Sequence, residues 1–419
     1  MTERLLQYIW QFQYFNKSEL QTTAGEKVRI IHPGSLNTHQ GPDFADSKII
    51  IGQTTWAGNI ELHLHTSQWH QHGHHTDKNY NNVILHVVWQ DDEPLKQLNI
   101  PVIELQHRVS SLLISKYHEW MEKTSFIPCE HAIAQVKNLT WQAWLDRLLA
   151  ERLTRKAEIV FTFLNQTNNN WEDAFWWLLA RNFGARVNAD AFELMARSIP
   201  LKLLAKHKSN LIQLEALLLG QAGLLSEQAK EDYPIMLYKE YTFLRNKYKL
   251  QPIHITPMFL RMRPGNFPTI RLAQLAMLVH HSSHLFSKIK EAENAEEIKD
   301  WLNITANDYW HYHYRLDELS TYKPKKLGNA MINNVIINTM APVMYAYGRY
   351  HQLENFKEKA LQWLESCVAE NNTITNGYQQ LGIKNASAAD SQALIELKNE
   401  YCNYKRCLEC TVGNAIIRD

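Results

Sequence analysis

The sequence predicts an α/β domain over residues 1–125 followed by a large all-α domain over residues 126–419. Three observations predict it. Short apolar runs that alternate with period two are confined to the beginning of the chain. From about residue 109 onward, apolar positions recur every three or four residues instead. The chain, 419 residues with 45% apolar content, is long enough to bury at least two cores.

The elements follow in order. Leu5, Leu6, Ile9, Trp10, Phe12 and Phe15 stand at helical spacing over residues 3–16, with Thr2 positioned as N-cap. Lys27 to Ile31 reads as a short strand that His32-Pro33-Gly34 breaks. Residues 37–44 form a polar loop, and strands are expected at 47–52, 55–65, 83–89 and 100–105. The first two join through Gly52-Gln53. Residues 66–80 are too polar for a buried helix and leave room only for a short one. Amphipathic helices then fill the second part, among them 109–123, 139–164, 171–182, 268–290, 305–318 and 328–350. No fixed repeat period accompanies them.

Within Ile60-Glu61-Leu62-His63-Leu64-His65, alternation sends the three aliphatic side chains to one face and Glu61, His63 and His65 to the other. Asp43 follows Pro42 just ahead of the apolar run Ile49-Ile50-Ile51, which sets it at a strand mouth. A sheet can bring Asp43 and Glu61 together as a hard oxygen site for Mg²⁺ or Mn²⁺. Seven of the twenty histidines fall between residues 41 and 89. His63, His65 and His70 can converge on a metal, or the loop histidines can face solvent; the spacing fits no zinc signature. His86, inside Val83-Ile84-Leu85 and Val87-Val88, reads as a core histidine, and Glu104 is equally ambiguous.

The order of helix, Pro-Asp, strand, turn and a strand carrying an acid resembles the core of the PD-(D/E)xK nuclease superfamily over roughly the first 110 residues. The resemblance implies a restriction-endonuclease-like mixed sheet flanked by helices, with metal-dependent hydrolysis of nucleic-acid phosphodiesters. Asp43 and Glu61 match its two acids. The position of its Lys holds His63, which can bind metal or act as a base; Lys48 on the preceding strand is the nearest substitute. Two rivals stand beside this reading: a nucleic-acid or protein-binding module whose nuclease core has decayed, and a histidine-ligated metalloenzyme with another substrate. Over nearly its full length the chain also resembles a family of uncharacterised bacterial proteins. That likeness rests on Gln7-Tyr-Ile-Trp-Gln-Phe12, on residues 41–89, on Leu-Arg-Met-Arg-Pro-Gly-Asn-Phe-Pro-Thr-Ile-Arg (260–271) and on Cys-Leu-Glu-Cys-Thr-Val-Gly-Asn (407–414).

Two further clusters lie in the second part. Arg261, Arg263 and Arg271 surround a Pro/Gly-punctuated loop at the start of a helix, which suits a phosphate or carboxylate; pairing with acids of the first domain is the alternative. Cys402, Cys407 and Cys410 stand within nine residues, with Cys129 after Pro128 as the fourth thiol of a zinc or iron–sulfur site. Free thiols in a reducing compartment are the other reading, and Cys367 is expected to be an ordinary buried thiol. Some RecB- and AddB-type nucleases of the same superfamily tie the chain end to the nuclease domain with a four-cysteine iron–sulfur cluster, a similarity of architecture only.

Formal charge is +1 overall. Residues 1–130 carry 10 Lys and Arg against 14 Asp and Glu, net −4, and the remainder is net +5. This balance is too mild to announce nucleic-acid binding by itself. No apolar run approaches the roughly 18 residues of a membrane span. Glu3, Gln7 and Gln11 interrupt the first helix too often for a signal peptide. The expectation is a cytoplasmic protein with no membrane partner.

Overall fold

The computed structural model describes residues 1–37, 40–93, 100–122, 124–260, 262–282 and 284–418. They form two compact units, one comprising residues 1–141 and 398–419 and the other residues 142–397. The division differs from a boundary at 125 with one helical domain over residues 126–419. The chain instead returns at residue 398 to complete the first unit, a long-range closure that no local pattern encodes.

The first unit opens with α1 (Glu3–Phe12), whose Thr2 hydroxyl accepts the Leu5 N–H as an N-cap. Leu5, Leu6, Ile9 and Trp10 are fully buried. The strands are β1 (Val28–His32), β2 (Ser35–Leu36), β3 (Phe44–Ile51), β4 (Thr54–His65), β5 (Val83–Gln90) and β6 (Val102–Glu104). The sheet runs β1-β3-β4-β5-β6, with β2 also paired to β3. Its β1-β3-β4 part is antiparallel, while β4-β5 and β5-β6 are parallel. β4 and β5 carry the buried centre through Ile60, Leu62, Leu85, Val87 and Val88, none of which is exposed. The crossover between β4 and β5 holds only α2 (Gln68–Gln71) and a single 3₁₀ turn at Lys78–Tyr80, as its polarity implied. α3 (Ser111–Glu122) follows the sheet.

The second unit is helical. Its helix Leu211–Gln221 is buried from Leu214 to Gln221, so it reads apolar on every side. It packs against Asp232–Tyr248 and Pro268–His281. One segment departs from the expected helix at 305–318: a short helix Asp308–His311 gives way to a hairpin of His313–Arg315 and Glu318–Leu319. Asp317 takes φ 60° at the turn, a left-handed conformation that aspartate tolerates and a continuing helix excludes. The expected helix 328–350 contains a wide π turn at Ile336–Met340. Pro342 has no N–H to offer the carbonyl of Asn338, which accepts the Asn182 side-chain amide at 3.0 Å instead. Among the described residues, no helix is long and apolar enough to cross a membrane.

Candidate metal centre

The antiparallel ladder pairs Phe44 with Ile60, so the residue before Phe44 lies beside the residue after Ile60. Asp43 and Glu61 therefore meet. The Asp43 N–H donates to Glu61 Oε2 at 3.0 Å, and the Leu62 N–H donates to Asp43 Oδ2 at 3.1 Å. Gln7, on α1, donates to Asp43 Oδ1 at 2.8 Å. Burial raises the pKa of both carboxyls above the carboxylate range; the charge of Glu3 adds to the effect on Asp43, and that of Asp43 to the effect on Glu61.

Three imidazoles close over this pair. His63 is wholly buried on β4, with its Nδ1 2.8 Å from His86 Nε2 on β5. Its Nε2 lies 3.1 Å from His72 Nδ1 and 3.5 Å from Glu61 Oε1. His74 Nε2 lies 3.3 Å from the same Glu61 oxygen, yet it is a buried nitrogen without a hydrogen bond. His72, which is exposed, and His74 come from the polar crossover, which Trp69, 1% exposed, anchors. Trp69 packs edge-on to His74, and Tyr80 stacks on His74 at 3.8 Å while also meeting Trp69 edge-on. Gly73, at φ +74°, makes the turn that aims both neighbours the same way.

His63, His72 and His74 each offer a ligand atom within 4.8 Å of the others, and they are the one such set of three among the described residues. A tetrahedral ion with bonds of 2.0–2.1 Å needs donors about 3.3 Å apart. The contacts to Glu61 and between His63 and His72 fall around that value. Burial, then the neighbouring imidazoles, lower the pKa of His63 to about 2 and that of His86 to about 3. Both rings are thus neutral, the form that ligates metal. The donor set fits a divalent ion that accepts nitrogen. Each oxygen of Asp43 accepts one hydrogen bond, from Gln7 or Leu62, and keeps a lone pair beside Glu61.

The other expected residues divide clearly. His65, named with His63 as a ligand, is exposed because β4 ends there, and His70 is exposed on α2. Lys48 is exposed and pairs with Ala57, four ladder positions away from the acids, so it does not serve as the missing lysine. Glu3 and Gln7, one turn apart on α1, were missed. The available signal was a polar pair at i and i+4 beside an otherwise apolar stripe. His72 and His74 were visible as histidines but not as ligands, since only the folded crossover orients them.

The cysteines lie in the first unit. Cys129 sits in a turn closed by the Ala132 N–H to its carbonyl at 3.1 Å. The segment carrying the other three is tied to the same neighbourhood: Lys398 donates to the carbonyl of Phe126 at 2.6 Å, Lys405 to that of Met121, and Lys116 to that of Ile416. Cys402, Cys407 and Cys410 all lie close enough to Cys129 to raise its pKa, after burial as the larger cause. The N–H groups of Val412 and Gly413, opening the helix Thr411–Arg418, bond the Cys410 sulfur. Gly413 is required there, because a Cβ would stand 2.3 Å from the Cys407 carbonyl oxygen. Among the described residues none of the five cysteines is in a disulfide, and Cys367 lies buried in the second unit. Of the arginines, Arg261 lies outside the described residues, Arg263 is exposed, and Arg271 is buried.

Residues 3–373 match the family model described as Protein of unknown function (DUF2851). The chain belongs to that family. No curated protein matches it, and no solved structure does.

Proposed function

We propose that this DUF2851 member is a metal-dependent phosphodiesterase acting on nucleic acid, with its ion held in the first unit by Glu61, His63, His72 and His74. The observation that carries the reading is the buried, unbonded His74 nitrogen facing Glu61 beside two further imidazoles. Support for the nuclease chemistry comes from strand order. An antiparallel β1-β3-β4 meander continued by parallel strands, with one acid at the mouth of β3 and the next on β4, is the arrangement the PD-(D/E)xK likeness implies. His63 then serves as a ligand where that superfamily carries its lysine. Imidazole donors favour Mn²⁺ or Zn²⁺ over Mg²⁺, which prefers oxygen.

Bound there, a divalent ion supplies Lewis acidity toward a phosphoryl oxygen and makes water a better nucleophile. The chain's own groups do the rest. His86 fixes the ring of His63, and the Asp43 N–H fixes Glu61. The Glu3 carboxylate makes no hydrogen bond among the described residues and lies close enough to Asp43 and His72 to interact with their charges, so it can accept the proton of the attacking water. Cys129, Cys402, Cys407 and Cys410, near enough for the three to act on the charge of the first, would hold a zinc ion or an iron–sulfur cluster that ties residues 398–418 to the turn at Cys129. Visible absorbance identifies the cluster; a colourless equivalent of zinc identifies the ion.

A second reading keeps the metal and changes the substrate. It is favoured by the imidazole-rich ligand set and by the net −4 charge of residues 1–130, which repels a polyanion. The deciding experiment pairs metal analysis with cleavage of single- and double-stranded DNA and RNA in Mg²⁺, Mn²⁺ or Zn²⁺, on wild type, Glu61→Gln and Asp43→Ala. Cleavage in wild type that Glu61→Gln abolishes establishes the nuclease. Bound metal that Glu61→Gln releases, with no cleavage by wild type, moves the assignment to the second reading. A protein that neither binds metal nor cleaves is the decayed binding module.

A further inference from the structure

The second unit contains a cavity of about 390 Å³ at the start of the helix Pro268–His281. Arg271 lines it and is 9% exposed. Its guanidinium donates to Gln274 Oε1 at 2.9 Å and to Asn266 Oδ1 at 2.5 Å, two neutral acceptors. Among the described residues, no carboxylate pairs with it. A buried cation ordinarily has a counter-charge, because the loss of hydration is otherwise uncompensated. Two hydrogen bonds also leave part of its five-donor fork unused.

The rest of the wall continues the pattern. Arg186 lies on the exposed rim without a hydrogen bond or ion pair among the described residues. Arg181 is already neutralised in a cluster with Asp190, Glu193 and Arg197. Two positive charges, on Arg271 and Arg186, therefore remain uncompensated. Asn334 makes no side-chain hydrogen bond, and Asn338 sits on the π turn Ile336–Met340, an irregularity that recurs at functional sites.

We infer that this cavity binds a phosphomonoester, with Arg271 and Arg186 clamping the phosphate and Asn334 meeting the polar group beside it. The charges match, since a phosphomonoester carries about −1.5 to −2 near neutral pH. Planar guanidinium forks suit its oxygens. The volume exceeds what a phosphate alone fills, leaving room for a sugar or base. The phosphate can belong to a free mononucleotide or to the 5′ end of a strand. The site lies wholly in the second unit, and its test does not depend on the metal chemistry of the first.

The test is calorimetric titration of the full chain, with metal-free buffers, using inorganic phosphate, adenosine monophosphate, and one oligonucleotide with either a 5′-phosphate or a 5′-hydroxyl. Saturable binding of a phosphorylated probe is expected, weakened at least about tenfold by Arg186→Gln and lost in Arg271→Gln. Tighter binding of the mononucleotide or of the 5′-phosphorylated strand identifies the source. If Arg271→Gln does not fold, Arg186→Gln, on the exposed rim, decides alone. Absence of saturable binding by every phosphorylated probe overturns the inference, and so does wild-type affinity in Arg186→Gln.

Discussion

His86 has no solvent exposure, and its Nε2 faces His63 Nδ1, so whatever it does for the metal centre it does through His63. Its replacement by Leu should weaken metal binding by about 10–100-fold while leaving the ion's identity unchanged. Chelator competition reads this directly, and unchanged affinity would remove His86 from the site. A different buried group governs pH behaviour. Glu215 is fully buried and accepts hydrogen bonds from Trp310, Tyr233 and Asn307, and burial lifts its pKa from 4.5 to about 7. The folded chain thus keeps this proton after the unfolded chain has lost it. Stability falls as pH rises from 4.5 to 7 and levels off above, by an amount on the order of 3 kcal/mol. Denaturant melts at stepped pH should show that slope, and Glu215→Gln should flatten it. At this scale the sequence exposed part of the site. Asp43, Glu61 and His63 were legible because a strand mouth and a period-two run fix where side chains point. His72, His74 and Glu3 were not, because their places depend on the seating of Trp69 and on the docking of α1.

The elements were more legible than the residues. Apolar runs marked all four principal strands, and Thr2 marked the start of α1, since these signals act within a few residues. The hairpin at 313–319 was hidden by aromatic residues that suit helix and strand alike. Register is the property of these elements that matters most for the metal centre, because β4 must meet both neighbours correctly. At Gly58 on β4, a Cβ would stand 2.5 Å from Ile84 Cγ2 and 2.6 Å from the Asn82 carbonyl oxygen. The backbone of the β5 approach occupies the space a side chain needs. Gly58→Ala should cost about 1–3 kcal/mol in chemical denaturation; a stability equal to wild type would mean that the strands part here without strain.

For the whole molecule, the informative feature is the return of residues 398–419 to the first unit. A chain ended at Leu397 lacks Cys402, Cys407 and Cys410 and the lysine contacts to Met121 and Phe126. Hydrogen exchange should accelerate across α3 and the turn at residues 127–132 in that truncation; protection at the full-length level there would show that the terminal segment is dispensable. Such a closure cannot be read from spacing, because it joins positions more than 250 residues apart. It also imposes an order on synthesis. A ribosome adding about 5–20 residues per second needs tens of seconds to pass from residue 142 to residue 397. Throughout that interval Cys129 has been made while Cys402, Cys407 and Cys410 have not. The nascent first unit waits, incomplete, while the whole second unit emerges, and only the segment from residue 398 onward lets the first finish folding.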